Sequence, residues 1–175
     1  MANTYIPISK TILTSSASTI TLSSIPQTYT DLVVLCSLRS TYPGVYTNWV
    51  TMRVNNDGTQ LYSMTYVASS AGTTSSSRFA SASVSRGYPF YIDSDLNTAN
   101  TFGNGEIYIP NYTSSTAKQI SSTGVAEVND TTHEWLMGSA NLYTGTSAIT
   151  SLVFFSNGGS FDAGSRIDLY GIKNN

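Results

Sequence analysis

The chain is short of charge. Eight Lys and Arg and ten Asp and Glu occupy one tenth of its 175 positions, where a typical globular domain spends about 25 %. Three Lys and three Glu are too few for a coiled coil, which draws on Ala, Glu, Lys, Leu and Arg. A net charge of −2 with no two basic residues adjacent offers no field to nucleic acid or to an acidic membrane. Neither partner is expected. The single cysteine, Cys36, excludes an internal disulfide; in the run Leu32-Val33-Val34-Leu35-Cys36 it reads as a small buried hydrophobe. Apolar runs stop at four or five residues, against the ~20 a membrane-spanning helix needs. The stretch Met1-Ala2-Asn3-Thr4-Tyr5-Ile6-Pro7 lacks the basic-then-apolar order of a secretory signal, so synthesis in a cytosol is expected.

What fills the polar positions instead is hydroxyl and amide: 28 Ser, 24 Thr and 13 Asn. Twelve Tyr, six Phe and two Trp separate the chain from disordered sequences, which are charge-rich and poor in aromatics. A surface of Ser, Thr, Asn and Tyr is easier to desolvate than one of Lys and Glu. Near-zero net charge also leaves little repulsion between copies. The composition favours assembly.

Apolar residues alternate with period two along most of the chain, the mark of strands with one buried face. Leu32, Val34, Cys36 and Leu38 share one face, and Ile167, Leu169 and Gly171 alternate with Arg166, Asp168 and Tyr170. Val50, Met52 and Val54 alternate with Trp49, Thr51 and Arg53. After them, Asn56-Asp57-Gly58 predicts a hairpin to a strand over residues 60–67. Residues 5–14, 19–23, 105–109, 119–128, 134–143, 149–156 and 166–172 read as further strands, with Asn157-Gly158-Gly159-Ser160 as a turn before the last. No stretch has helical periodicity. About 8–10 short strands without substantial helix predict one all-β domain over 1–175, an antiparallel β-sandwich, jelly-roll-like, with an immunoglobulin-like sandwich as the alternative. Residues 68–104 form a long variable loop region. Within it, residues 69–77 are low-complexity and read as surface loop, and the whole excursion is expected to contain weak strands.

The search for chemistry returns little. A Ser-His-Asp hydrolase needs a histidine, and only His133 exists; the zinc-protease pattern fails because Met137 stands where a second His is required. Asp93-x-Asp95-x-Asn97 copies the first three ligands of a calcium loop. Thr98 then replaces the loop glycine and Asn104 the terminal Glu, which leaves Asp93, Asp95 and Asn97 as a weak metal candidate. Gly103-Asn104-Gly105 lacks the third glycine and the helix of a phosphate loop. No catalytic residue and no cofactor are expected. Tyrosine and tryptophan are the groups suited to recognition: Tyr42, Tyr46 and Trp49 around Pro43-Gly44, and Tyr88, Phe90 and Tyr91 around Pro89. Such side chains serve protein interfaces and stack on sugars, and they serve equally as half-buried sandwich aromatics.

The stretch Ser24-Ile25-Pro26-Gln27-Thr28-Tyr29-Thr30-Asp31-Leu32-Val33-Val34 and the ending Phe161-Asp162-Ala163-Gly164-Ser165-Arg166-Ile167-Asp168-Leu169-Tyr170-Gly171-Ile172-Lys173 resemble small virion structural proteins of tailed bacteriophages, most clearly those of cyanobacterial and marine phages. Arg39-Ser40, Asn55-Asn56-Asp57-Gly58 and Tyr62-Ser63 fit the same pattern. The resemblance implies a non-enzymatic β-sandwich on the virion exterior: a capsid decoration or cement protein that self-assembles, a trimer being favoured, and binds the major capsid protein or other virion proteins. In that reading residues 1–14 are a docking segment. The alternative it implies is a tail-fibre or tail-tip module that recognises a host surface glycan.

Overall fold

The computed structural model describes residues 5–59, 61–79, 84–129 and 132–173. Its strands are β1 (Tyr5–Ile12), β2 (Thr19–Leu22), β3 (Asp31–Leu38), β4 (Thr47–Val54), β5 (Tyr62–Ser70) and β6 (Thr73–Phe79). They continue with β7 (Tyr91–Asp93), β8 (Gly103–Ile109), β9 (Lys118–Ala126), β10 (Trp135–Tyr143), β11 (Leu152–Ser156) and β12 (Arg166–Ile172). No helix occurs among the described residues.

The strands form two antiparallel sheets. The broad one has eight strands in the order β1-β12-β3-β8-β9-β10-β5-β6, and the narrow one has four, β2-β11-β4-β7. With β5, β6, β9 and β10 set aside, each step along the remaining eight strands crosses between sheets, except β4 to β7, which pair as neighbours. That winding is a jelly roll. Its core follows from the alternation. Leu32, Val34 and Leu38 of β3, Ile107 and Ile109 of β8, and Ile167 and Leu169 of β12 are buried against Val50, Met52 and Val54 of β4 and Leu152 and Phe154 of β11. Cys36 lies in the same core. Burial, with Asp168 nearby, pushes its thiol far above the ordinary range, which leaves it inert.

The four additional strands extend the broad sheet past the narrow one. Segment 84–92 covers the inner face of β9, β10 and β5, while β6 is exposed throughout. Gly105 and Gly124 are directly paired across β8 and β9, and the Phe90 side chain rests on both. A Cβ on Gly105 would lie 2.4 Å from the Phe90 ring, and one on Gly124 2.5 Å from the Phe90 Cβ. The Ser122 and Ser139 hydroxyls, 2.7 Å apart, both reach the Pro89 carbonyl, at 2.9 and 2.8 Å. Asn141 donates to Ser139 Oγ at 3.0 Å and accepts the Tyr88 N–H at 2.9 Å. Buried polar groups are thereby paired.

The structure departs from the sequence reading in three places. Strands β4 and β5 are no hairpin, because β4 pairs with β11 and β7 whereas β5 pairs with β10 and β6. The left-handed residues are Asn55 and Asn56, at φ 52° and 53°; of the expected Asn56-Asp57-Gly58 only Asn56 is left-handed. Asn55 is also tied outward, donating to the Ala148 carbonyl at 2.9 Å and accepting the Thr150 N–H at 2.8 Å. The turn therefore carries the chain from one sheet to the other. The true hairpin is β5–β6, closed by Ala71 and Gly72 with φ of 50° and 69°, inside the stretch read as loop. Strands β6 and β7 both lie in residues 68–104, the excursion expected to contain weak strands, and bring the total to twelve against the expected 8–10.

Candidate functional site

From β8 to β6 the outward face of the broad sheet is poor in charge. Along one cross-strand row stand Leu35, Glu106, Thr123, Gly138, Val67 and Ser76; along the next stand Ser37, Asn104, Val125, Leu136, Ser69 and Thr74. From β9 to β6 the outward positions within the strands carry one charge, Arg78. Leu136 is 61 % exposed and Val67 53 %. Both line a shallow apolar groove with Gly138 and Thr123, and Leu136 continues into a second groove with Leu35, Val125 and Glu106. Large apolar side chains grouped on an open face mark a contact surface.

Two of the cations, Arg39 and Lys118, are spent inside the fold. The Arg39 guanidinium donates to the carbonyls of Thr98 at 2.8 Å, Thr101 at 3.0 Å and Asn97 at 3.1 Å, and reaches that of Asp95 at 3.5 Å. The buried Lys118 donates to the Ser114 and Thr116 carbonyls and to Ser147 O at 3.2 Å. Arg166 pairs with Asp168 on the outward face. Each cation organises a loop or strand end rather than a field.

This decides how the Asp93, Asp95 and Asn97 loop is read. Its backbone carbonyls, the donors a calcium ion would require, already bind Arg39. Asp93 is buried and one of its oxygens lacks a partner. Burial raises its pKa, opposed by hydrogen bonds from Thr101 and Asn97 and by Arg39. Among the described residues no group of three or more His, Cys, Asp and Glu could hold a metal ion.

The aromatic candidates divide. Trp49 stacks on Tyr91 at 3.9 Å between ring centroids, and Tyr91 on Trp135 at 4.3 Å. Tyr66 and Tyr88 meet Trp49 edge-on at 5.7 and 5.6 Å, and Phe79 lies 5.9 Å from Tyr88. The row is half-buried, and burial lifts the Tyr91 hydroxyl pKa to about 12. Tyr46 stacks on His133 at 3.9 Å, which gives His133 a packing role. Tyr42 is separate: it covers Gly158 and Gly159, where added Cβ atoms would lie 2.9 and 2.8 Å from it. Phe90 is fully buried, so it belongs to the core and presents nothing. Beside the row, on the outward side of β4, Arg53 and Arg86 lie 5.3 and 4.5 Å from the Phe155 ring centre. Trp135 and Phe79 were not among the expected interaction residues; they come from strands remote in sequence, and only the topology unites them with Trp49.

Of the expected docking segment 1–14, residues 1–4 lie outside the described residues. Residues 5–12 form β1, paired along its length with β12. No protein-family model matches the chain, and a search of curated proteins returns no match.

Proposed function

We propose that the chain is a non-enzymatic structural protein of a tailed-phage virion, mounted on the capsid exterior as a decoration or cement protein. The observation that carries this reading is the outward face of β9, β10, β5 and β6, which carries one charge, Arg78, with Leu136 and Val67 exposed on it. Such a face buries against a shell without stranding unpaired charge. The sequence resemblance to phage virion proteins supplies the biological setting. Because residues 5–12 are a sheet strand, deleting the N-terminus would damage the fold and would not isolate docking. A better test places charge on the face. Leu136→Glu combined with Val67→Glu should keep the far-UV spectrum and lose binding to capsids, while the wild type binds in hundreds of copies per particle. Undiminished capsid binding by the double variant would overturn the reading. A handful of copies per particle would move the protein to the tail.

A second reading, a receptor-binding module for host glycan, is favoured by the stacked row Trp49, Tyr91 and Trp135 beside Arg53 and Arg86. Aromatic faces suit sugar rings, and guanidinium groups suit their acidic substituents. On a glycan array this reading requires wild-type binding that Trp49→Ala abolishes. Binding to capsids but to no glycan selects the first reading.

A further inference from the structure

The two sheets end in four edges, and three are guarded. Strands β2 and β7 have four and three residues, too short to recruit a partner strand. β1 contains Pro7 and Lys10, and its register breaks between Pro7 and Ser9; proline, lysine and a bulge are devices that blunt an edge. β6 has none of these. Its seven residues, Thr73-Thr74-Ser75-Ser76-Ser77-Arg78-Phe79, are all exposed and pair with β5 in unbroken register. That is a straight template about 24 Å long.

The direction of its free groups follows from the hairpin. With two turn residues, Ser70 and Thr73 are the closing hydrogen-bonded pair. Hydrogen-bonded and open pairs then alternate, so the N–H and C=O groups of Thr73, Ser75, Ser77 and Phe79 face β5. Those of Thr74, Ser76 and Arg78 face outward. The bond from Tyr62 N–H to Val84 O at 3.3 Å agrees, since it places the even-numbered residues of β5 on the β6 side. Among the described residues nothing pairs with the outward groups of β6.

We propose that β6 is a self-association edge, at which a second copy of this chain adds its own β6 antiparallel about a two-fold axis at Ser76. This deepens the assembly part of the function proposed above and rests on it. In this register Ser76 faces Ser76 of the other copy and Thr74 faces Arg78, which satisfies the three outward residues of each strand with about six inter-chain hydrogen bonds. The two Arg78 side chains then lie four residues apart along the strand direction, about 14 Å, beyond the screening length at physiological salt. A parallel in-register pairing would instead set Arg78 against Arg78. The antiparallel pairing consumes both edges, so it closes at two copies and does not grow into a fibre. It also joins the two charge-poor outward faces into one continuous surface.

Sedimentation velocity of the full chain across micromolar concentrations is the test, with Ser76→Pro and Ser75→Pro as paired variants. Proline at 76 removes an outward N–H, whereas proline at 75 removes one bonded to β5. A dimer, or a larger even-numbered assembly, is expected for the wild type. Ser76→Pro should shift the dimer-monomer equilibrium at least tenfold toward half the mass at an unchanged Tm, and Ser75→Pro should lower Tm. Ser76→Lys, which keeps the backbone bonds intact, should weaken association in the same direction. A wild-type monomer would overturn this proposal together with the assembly reading. An oligomer that Ser76→Pro leaves intact, or a trimer without higher even-numbered association, would overturn this proposal alone.

Discussion

The two halves of the broad sheet solve the same problem with different chemistry. Strands β1, β12, β3 and β8 face the narrow sheet, and their inward side chains are aliphatic: Leu32, Val34, Ile107, Ile167 and Leu169. Strands β9, β10 and β5 face chiefly the segment 84–92, with Tyr66 and Tyr62 of β5 also reaching Trp49 and Val54 of β4. Their inward side chains mix Ile120, Met137, Tyr62 and Met64 with the polar Ser122, Ser139 and Asn141. The reason is hydrogen bonding. A partner sheet satisfies its own backbone groups, whereas a covering segment brings unpaired ones such as the Pro89 carbonyl, and these must find side-chain partners. Hydroxyl and amide side chains inside the added half are the consequence. The serine-rich composition is therefore partly an interior property as well as a surface one.

If the comparison holds, the added half depends on one plug while the jelly-roll half depends on many contacts. Phe90→Ala carries the largest expected effect, about 3–5 kcal/mol from a buried aromatic whose cavity lies over two glycines. Hydrogen exchange should then speed up first at the amides of β9, β10 and β5, with β3 and β12 protected until global unfolding. Uniform acceleration across both halves would show that they form one cooperative unit. Gly124→Ala attacks the same contact from the sheet side. Its Cβ would stand 2.5 Å from Phe90 Cβ, so chemical denaturation should register a loss of about 1–3 kcal/mol through overpacking. Combining it with Phe90→Ala should recover part of that loss, since the clash is removed. Ser139→Ala comes next, at about 1 kcal/mol, because Ser122 still reaches Pro89 while Asn141 loses an acceptor.

These halves were unequally legible in the sequence. Period-two alternation in β3 and β12 declares the jelly-roll half outright, because a strand buried against another sheet is apolar on one face. The face of β6 carries no such signal: residues 73–77 are all Ser and Thr, since neither side of that edge strand is buried. Local turn chemistry misled at Asn55–Gly58 because positive φ specifies a reversal and leaves open which sheet the chain joins next. Of the site, Trp49, Tyr88 and Tyr91 were identifiable as recognition-type residues, and the structure brings them together. Phe90 was misassigned because an aromatic in a loop looks exposed until the paired glycines beneath it are known. Likewise Asp93, Asp95 and Asn97 match a ligand spacing, but the cation for their carbonyls comes from Arg39, more than fifty residues earlier.

Asp93 offers the smallest and most specific contrast: it lies at the end of β7 in the jelly-roll half, buried beside Arg39 with one carboxylate oxygen lacking a partner. Burial raises its pKa above the ordinary carboxylate value despite hydrogen bonds and Arg39. The folded protein accordingly holds a proton that the unfolded chain releases, in the window above pH 3.8. Where the native state binds more protons, stability falls as pH rises. The penalty is absent below the unfolded-state value, grows through that window and is complete once Asp93 ionises in the fold. Asp93→Asn keeps the shape and removes the titration. Its Tm relative to wild type should therefore climb between pH 3.5 and pH 7 and level off, a shift of a few degrees at most because Thr101, Arg39 and Asn97 offset part of the burial cost. A Tm difference flat in pH would mean that Arg39 already compensates the charge, and one that falls with rising pH would make the Asp93–Arg39 attraction the dominant interaction in this loop.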